Sequence, residues 1–164
     1  MDKTDLAAHY HDIGYGCAQS VLCAFTEDFG LEEETALRLS TGFGSGMGRL
    51  CEMCGALAGG CMVIGLKYGK VITDGSKYGT ETEITYRLTA EMARRFAARN
   101  GAIRCWDLLH LDLSQQEDRQ RALDEGIFQN QCGKYIQDVV EILVDILPDP
   151  DLQGSSTPQV ETLA

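Results

Sequence analysis

Residues 52–68 read EMCGALAGGCMVIGLKY, and Gly69 follows them. Between Glu52 and Lys67 no side chain is charged, and apolar residues fall on every side of the helix this stretch would form. A helix that is apolar all round belongs in an interior, and a glycine after its last turn is a natural stop. The charge-free run from Cys54 to Leu66 is too short and too glycine-rich to cross a bilayer. These residues predict the central helix of a soluble fold.

Outward from this helix, nearly every segment also predicts helix. Toward the N-terminus, Thr4 is placed to cap a first helix ending at Asp12. Cys17 to Phe29 forms a second, stopped by Gly30, and Leu31 to Ser40 a third, with Glu32, Glu33 and Glu34 where the helix dipole favours acid. Gly42-Phe43-Gly44-Ser45-Gly46-Met47-Gly48 reads as a glycine loop. Toward the C-terminus, residues 70–79 form a polar connection. Thr80-Glu81-Thr82-Glu83 has the form of a capping box opening a long helix to Asn100, with Ile84, Leu88, Met92 and Phe96 on its buried face. A short turn holds Cys105 to Leu109, and Ser114 to Glu117 is a second capping box. The last helix runs from about Cys132 to Leu147, with Val139, Val140, Leu143 and Leu147 inward, and stops at Pro148. No pair of alternating strands and no repeat is evident. The expected fold is all-α: a single-domain bundle of about six to seven helices over residues 1–148, with a disordered acidic and polar tail at 149–164.

A chain of 164 residues, 44% hydrophobic and 24% charged, is an ordinary globular domain able to build a core. Its net charge of −11 works against binding to nucleic acid or to anionic lipid. The opening MDKTDLAAHYHDIGYG is polar and acidic, unlike a secretory signal, so a cytoplasmic location is expected by default. In a reducing compartment seven cysteines do not form a disulfide framework, and an odd number cannot fully pair within one chain.

The question is therefore thiol or metal chemistry. Cys17, Cys105 and Cys132 fall at or just before expected helix starts, and Cys51 and Cys54 flank another. Helix N-termini stabilise thiolates and lower their pKa, as a metal ligand or a nucleophile requires, and Arg49 and Arg104 beside them would add to this. Cys51-Glu52-Met53-Cys54 has CxxC spacing, and one turn of helix would put both sulfurs on one side, ready to chelate or to oxidise to a disulfide. There is no second CxxC for a zinc ribbon, no βαβ context for a thioredoxin site and no crowded ferredoxin triplet. Spacing alone leaves both chemistries open. Cys23 and Cys61 read as small core hydrophobes and Trp106 as a core anchor. His9, His11 and His110 read as surface or packing residues, with His110 an alternative fourth ligand. The glycine loop follows a helix and lacks GK[ST], so it is not a phosphate loop.

Cys54-Gly55-Ala56-Leu57-Ala58-Gly59 matches CGAxxG, Cys17 stands in Gly16-Cys17-Ala18-Gln19, Cys105 precedes Trp106-Asp107-Leu108-Leu109, and Cys132 follows. In these four cysteines, in residues 42–49 and in residues 63–69, the chain resembles the redox-active family named for its pattern C…GCAxxG…C…C, over roughly residues 10 to 145. That family is small and helical, and is similar to the iron–sulfur portion of split-Soret cytochrome, a dimeric electron-transfer protein. The resemblance implies Cys17, Cys54, Cys105 and Cys132 as ligands of an iron–sulfur cluster, [2Fe–2S] by the same analogy. It also implies a homodimer and a redox partner protein. Gly55 and Gly59 would let backbone approach the cluster, and Gly44 and Gly46 in the loop would offer amides to it. No CxxCH is present, so haem does not carry over. Cys23, Cys51 and Cys61 depart from the pattern. The expected function is electron transfer or redox sensing through a four-cysteine cluster. The alternatives are a metal-free thiol/disulfide oxidoreductase using Cys54 with Cys51 or Cys17, in which no cofactor takes part, and a zinc-binding structural or interaction protein.

Overall fold

The computed structural model describes residues 1–71, 75 and 77–148. Its elements are α1 (Lys3–Asp12), α2 (Cys17–Cys23), α3 (Thr26–Phe29), α4 (Glu33–Ser40), a 3-10 turn (Thr41–Phe43), α5 (Gly44–Met47), α6 (Gly55–Tyr68), α7 (Thr80–Asn100), α8 (Cys105–Leu109), α9 (Gln116–Asp124), a π-turn (Phe128–Cys132) and α10 (Gly133–Ile146). The fold is all-α. Among the described residues there is no strand, only one isolated antiparallel bridge between Met53 and Arg104. The expected tail, residues 149–164, lies outside the described residues, as does part of the 70–79 connection.

The apolar stretch at 52–68 does occupy the centre. Gly55, Ala56, Leu57, Ala58, Gly59, Gly60, Val63 and Ile64 of α6 are all buried. This helix packs most extensively on α2 and also on α7 and α10, while α1 lies across α10. Leu88, Met92 and Phe96 of α7 and Ile136, Val139, Val140, Leu143 and Ile146 of α10 close the core. The contact with α2 depends on Gly59, where a Cβ would stand 2.6 Å from the Ala18 carbonyl oxygen and 3.0 Å from the Val21 Cβ.

Several boundaries differ from expectation, each for a local reason. The helix expected over 17–29 breaks after Cys23: the Thr26 hydroxyl donates to the Cys23 carbonyl (2.9 Å), and α3 begins afresh. Asp2, not Thr4, caps α1, its carboxylate accepting from the Asp5 amide at 2.8 Å. Neither capping box forms. Thr80 is already helical behind Gly79, and Ser114 turns back to the Asp112 carboxylate through its amide (3.0 Å) and hydroxyl (2.6 Å). The central helix starts at Gly55 because residues 51–54 pair with 103–105: the Cys54 amide donates to the Ile103 carbonyl (2.8 Å) and the Cys105 amide to the Glu52 carbonyl (2.6 Å). Cys132 does not open the last helix, since helical backbone already runs through the π-turn before it.

The glycines of α6 give a graded stability test. Gly59→Ala forces methyl against backbone and is expected to cost about 1–3 kcal/mol. At Gly60 the new Cβ meets the mobile Met92 Sδ, so Gly60→Ala is expected to cost less than Gly59→Ala. Gly65 faces open space, and Gly65→Ala is expected to stabilise by roughly 0.5–1 kcal/mol. Urea denaturation of the three variants checks the order, and equal losses at Gly59 and Gly65 would contradict the packing.

Candidate functional site

Four of the expected residues meet. Cys17, Cys54, Cys105 and Cys132 all line one cavity of about 40 Å³, walled also by Ser45, Gly46, Gly55, Leu108, Leu109, Leu113, Phe128 and Tyr135. Each thiol arrives on a different segment. Cys17 is the first residue of α2, behind Gly16, whose amide donates to the Gln19 side chain at 2.8 Å. Cys54 caps α6 and Cys105 opens α8. The main-chain pairing of 51–54 with 103–105 carries these two residues to the same wall. Cys132 ends the π-turn, and its thiol stands near enough to that of Cys17 to raise its pKa. Cys54, Cys105 and Cys132 are buried, and Cys17 is half-buried.

The electrostatics run opposite to the expected lowering. The Cys132 thiol, then burial, hold the Cys17 thiol well above its ordinary range. Burial pushes Cys54 up to about 12, against the pull of the Ala56 and Leu57 amides at the start of α6. Burial, followed by the neighbouring thiols Cys54, Cys51 and Cys17, pushes Cys105 up to about 12. Desolvation thus outweighs the helix N-terminus. The expected arginines do not offset it: Arg49 is exposed, and Arg104 is taken up by Glu52 at 3.2 Å. Among the described residues no Lys, Arg, His, Asp or Glu lines the cavity.

The other expected residues fall elsewhere. Cys51 is not on a helical turn with Cys54. Its φ is +58°, and its sulfur accepts from the Leu113 amide (3.3 Å) and lies 3.6 Å from the Leu111 carbonyl. Gly46 and Gly55 line the cavity, whereas Gly44 does not and Gly59 serves the α2 contact. His110 is exposed in a left-handed cap, and Trp106 is 45% exposed rather than a core anchor. Cys23 is a core residue, pushed up to about 11 by burial and then by Glu33. Cys61 is half-buried, with burial raising its pKa against a hydrogen bond to Thr89. Among the described residues no group of three or more His, Cys, Asp or Glu side chains is arranged to hold a metal ion.

Two features of the site escaped the sequence reading. Tyr135 lies on the wall, its hydroxyl donating to the Leu108 carbonyl (3.4 Å) and its pKa raised by burial and then by Cys132, Cys54 and Cys105. Its place one turn after Cys132 was the available signal. The glycine loop, besides, is a left-handed run. Ser45, Met47, Arg49 and Cys51 have positive φ, as do Gly46 and Gly48. Such residues cost about 1–2 kcal/mol each relative to right-handed backbone. Gly46 is obligatory there, since a Cβ would stand 2.6 Å from the Glu52 amide nitrogen.

The raised thiols fix the sign of a pH dependence. At neutral pH the folded and unfolded chains both keep these thiols protonated. Above about 9 the unfolded thiols ionise, while Cys54 and Cys105 stay protonated in the fold until about 12. The unfolded chain therefore gains relative stability across that window. The urea midpoint of the reduced, metal-free protein is expected to hold near neutral pH and to fall as pH rises above 9. A midpoint that climbs there would show that these thiols are not desolvated.

No helix among the described residues is long and apolar enough to cross a membrane. No curated protein and no solved structure matches the chain. A family model does match, over residues 15–146, and it spans all four cavity cysteines. Its description is "putative redox-active protein (C_GCAxxG_C_C)". By that match the chain belongs to the C_GCAxxG_C_C family of redox-active proteins.

Proposed function

We propose that the protein is an electron-transfer or redox-sensing protein in which Cys17, Cys54, Cys105 and Cys132 hold an iron–sulfur cluster. The observation that carries this reading is the common cavity wall on which the four thiols stand. Four thiols are the commonest donor set for such a cluster, and among the described residues no carboxylate or imidazole stands on the wall. In a polynuclear cluster the thiolates bond different irons, so the ligands need not meet at one point. Zinc draws its four ligands to one centre at about 2.0–2.3 Å, and no such grouping stands among the described residues. When bound, the cluster would supply one-electron chemistry.

The chain's own residues would do the rest. Buried thiols on a wall without cations gain little as free thiolates, and metal coordination is the interaction that stabilises their deprotonated form. Cys54 is the N-cap of α6, so the first amides of that helix would stand near its sulfur, and amide donors tune cluster potential. Leu108, Leu109, Leu113 and Phe128 would exclude water. The acidic chain would hold the potential low, with a redox protein as electron partner.

One observation favours a second reading. Cys17 and Cys132 stand on one cavity wall and the Cys132 thiol acts on that of Cys17, so they, rather than Cys54 with Cys51, form the pair suited to a dithiol/disulfide cycle. Two thiols would lose two protons and two electrons to an oxidant and join through one S–S bond.

Anaerobic reconstitution with ferrous iron and sulfide distinguishes the readings. Wild type and Cys23→Ser are expected to turn brown, retain iron and sulfide, and bleach with dithionite, while Cys54→Ser loses most of its iron. A colourless wild type with two thiols that vanish on mild oxidation supports the second reading. Stoichiometric zinc without a redox response overturns both.

A further inference from the structure

His11, at the end of α1, stands between the two segments that carry Cys17 and Cys132. Its Nε2 lies 2.8 Å from the Phe128 carbonyl oxygen and its Nδ1 lies 3.3 Å from the Tyr15 carbonyl oxygen. Carbonyl oxygens only accept, so the ring must donate. The shorter contact, 2.8 Å to Phe128, places a ring N–H on Nε2. Tyr15 is followed closely by Cys17, and Phe128 opens the π-turn that ends at Cys132.

The Phe128 carbonyl has a second donor. The Gly133 amide, five residues on, also points to it, which is the bond that defines a π-turn. A π-turn is a rare geometry, found mostly at functional sites. Its last side chain here is Cys132, on the cavity wall. The half-buried His11 ring lies close behind, its Cδ2 3.6 Å from where a Gly133 Cβ would be.

We infer that His11 is a positioning residue: by donating to Phe128 it fixes the π-turn and so holds Cys132 against Cys17 at the cavity. As a statement about ligands this rests on the four-thiol reading. Its test uses reduced, metal-free protein and so fails or succeeds separately from that reading.

The test is the rate at which each cysteine reacts with iodoacetamide, resolved by mass spectrometry of peptides. His11→Phe keeps a ring and removes the donor. In it Cys17 and Cys132 are expected to react about tenfold faster, the effect of roughly one lost hydrogen bond on local opening. Cys54, carried on α6 rather than on either segment that His11 touches, is expected to react at the wild-type rate. His11→Gln restores a side-chain N–H and is expected to return Cys17 and Cys132 to wild-type protection. Unchanged rates at both cysteines in folded His11→Phe would overturn the inference, as would equal acceleration at Cys54, which is general loosening. If His11→Phe does not fold, His11→Gln decides. Wild-type protection supports the assignment, and loss of protection in a folded His11→Gln overturns it. Iron retention by the wild type, measured separately, tests the cluster alone.

Discussion

Everything at the cavity depends on two main-chain hydrogen bonds that clasp segments far apart in sequence. The Cys54 amide donates to Ile103 and the Cys105 amide to Glu52. They end the extended approach to α6 and start α8 at the same place, so both helices begin with a cysteine facing one space. A third bond, from the Trp106 amide to the Cys51 carbonyl at 3.0 Å, extends the clasp. Bonds of this kind contribute about 1 kcal/mol each. Their larger effect is geometric: they replace what would have been the first turn of α6 and carry Cys51 out of register with Cys54. The remaining two thiols reach the same wall by packing, Cys17 through the glycine contact of α2 with α6 and Cys132 through the π-turn leading into α10.

The site sets burial against backbone polarity, and magnitudes decide the outcome. Amides at a helix start favour a thiolate by a fraction of a kcal/mol to about 2 kcal/mol. Desolvation of a fully buried ionisable group shifts its pKa by up to 3–5 units. For Cys54 both act, and the net shift is upward. A nucleophilic thiol needs the reverse balance, with a nearby cation or open solvent, and the wall offers no cation. The fold thus stores neutral thiols close together. That arrangement suits an arriving positive centre better than it suits attack on a substrate.

How much of this was legible depended on the range of the interaction. An all-round apolar run located α6, and apolar periodicity the buried face of α7 and the inward residues of α10, because burial dominates those choices. The C-terminal end of α7 was also readable, with Gly101 in place, whereas Cys105–Leu109, read as a turn, is the helix α8. Caps were not. Serine and threonine at Ser114 and Thr80 look like caps in sequence, but competing partners such as Asp112 are visible only in three dimensions. The CxxC at Cys51 and Cys54 misled for the same reason, since pairing with residues 103–105 overrode local helix. The cysteine set came from matching a family pattern rather than from spacing. Tyr135 and His11 carry no motif at all, and their roles come from tertiary contacts over more than a hundred residues in the case of His11 and Phe128.

The left-handed run over residues 45–51 is a cost the fold did not need for packing alone. Four non-glycine residues hold positive φ there, at a total of several kcal/mol on the usual scale. That is a large part of the stability of an ordinary domain. The strain is not spread over the molecule: Ser45 and Gly46 stand on the cavity wall, and Cys51 takes hydrogen bonds just behind it. Through Ser45 and Gly46 the run sets backbone, not a cation, beside the thiols. Strain of this kind persists where its surroundings over-determine it, and functional sites are where it collects. Here the Cys51 amide bond to Ser45 and the Glu52 amide bond to Gly46 tie the run to the clasp. The costly loop and the placement of Cys54 and Cys105 are therefore one structural feature.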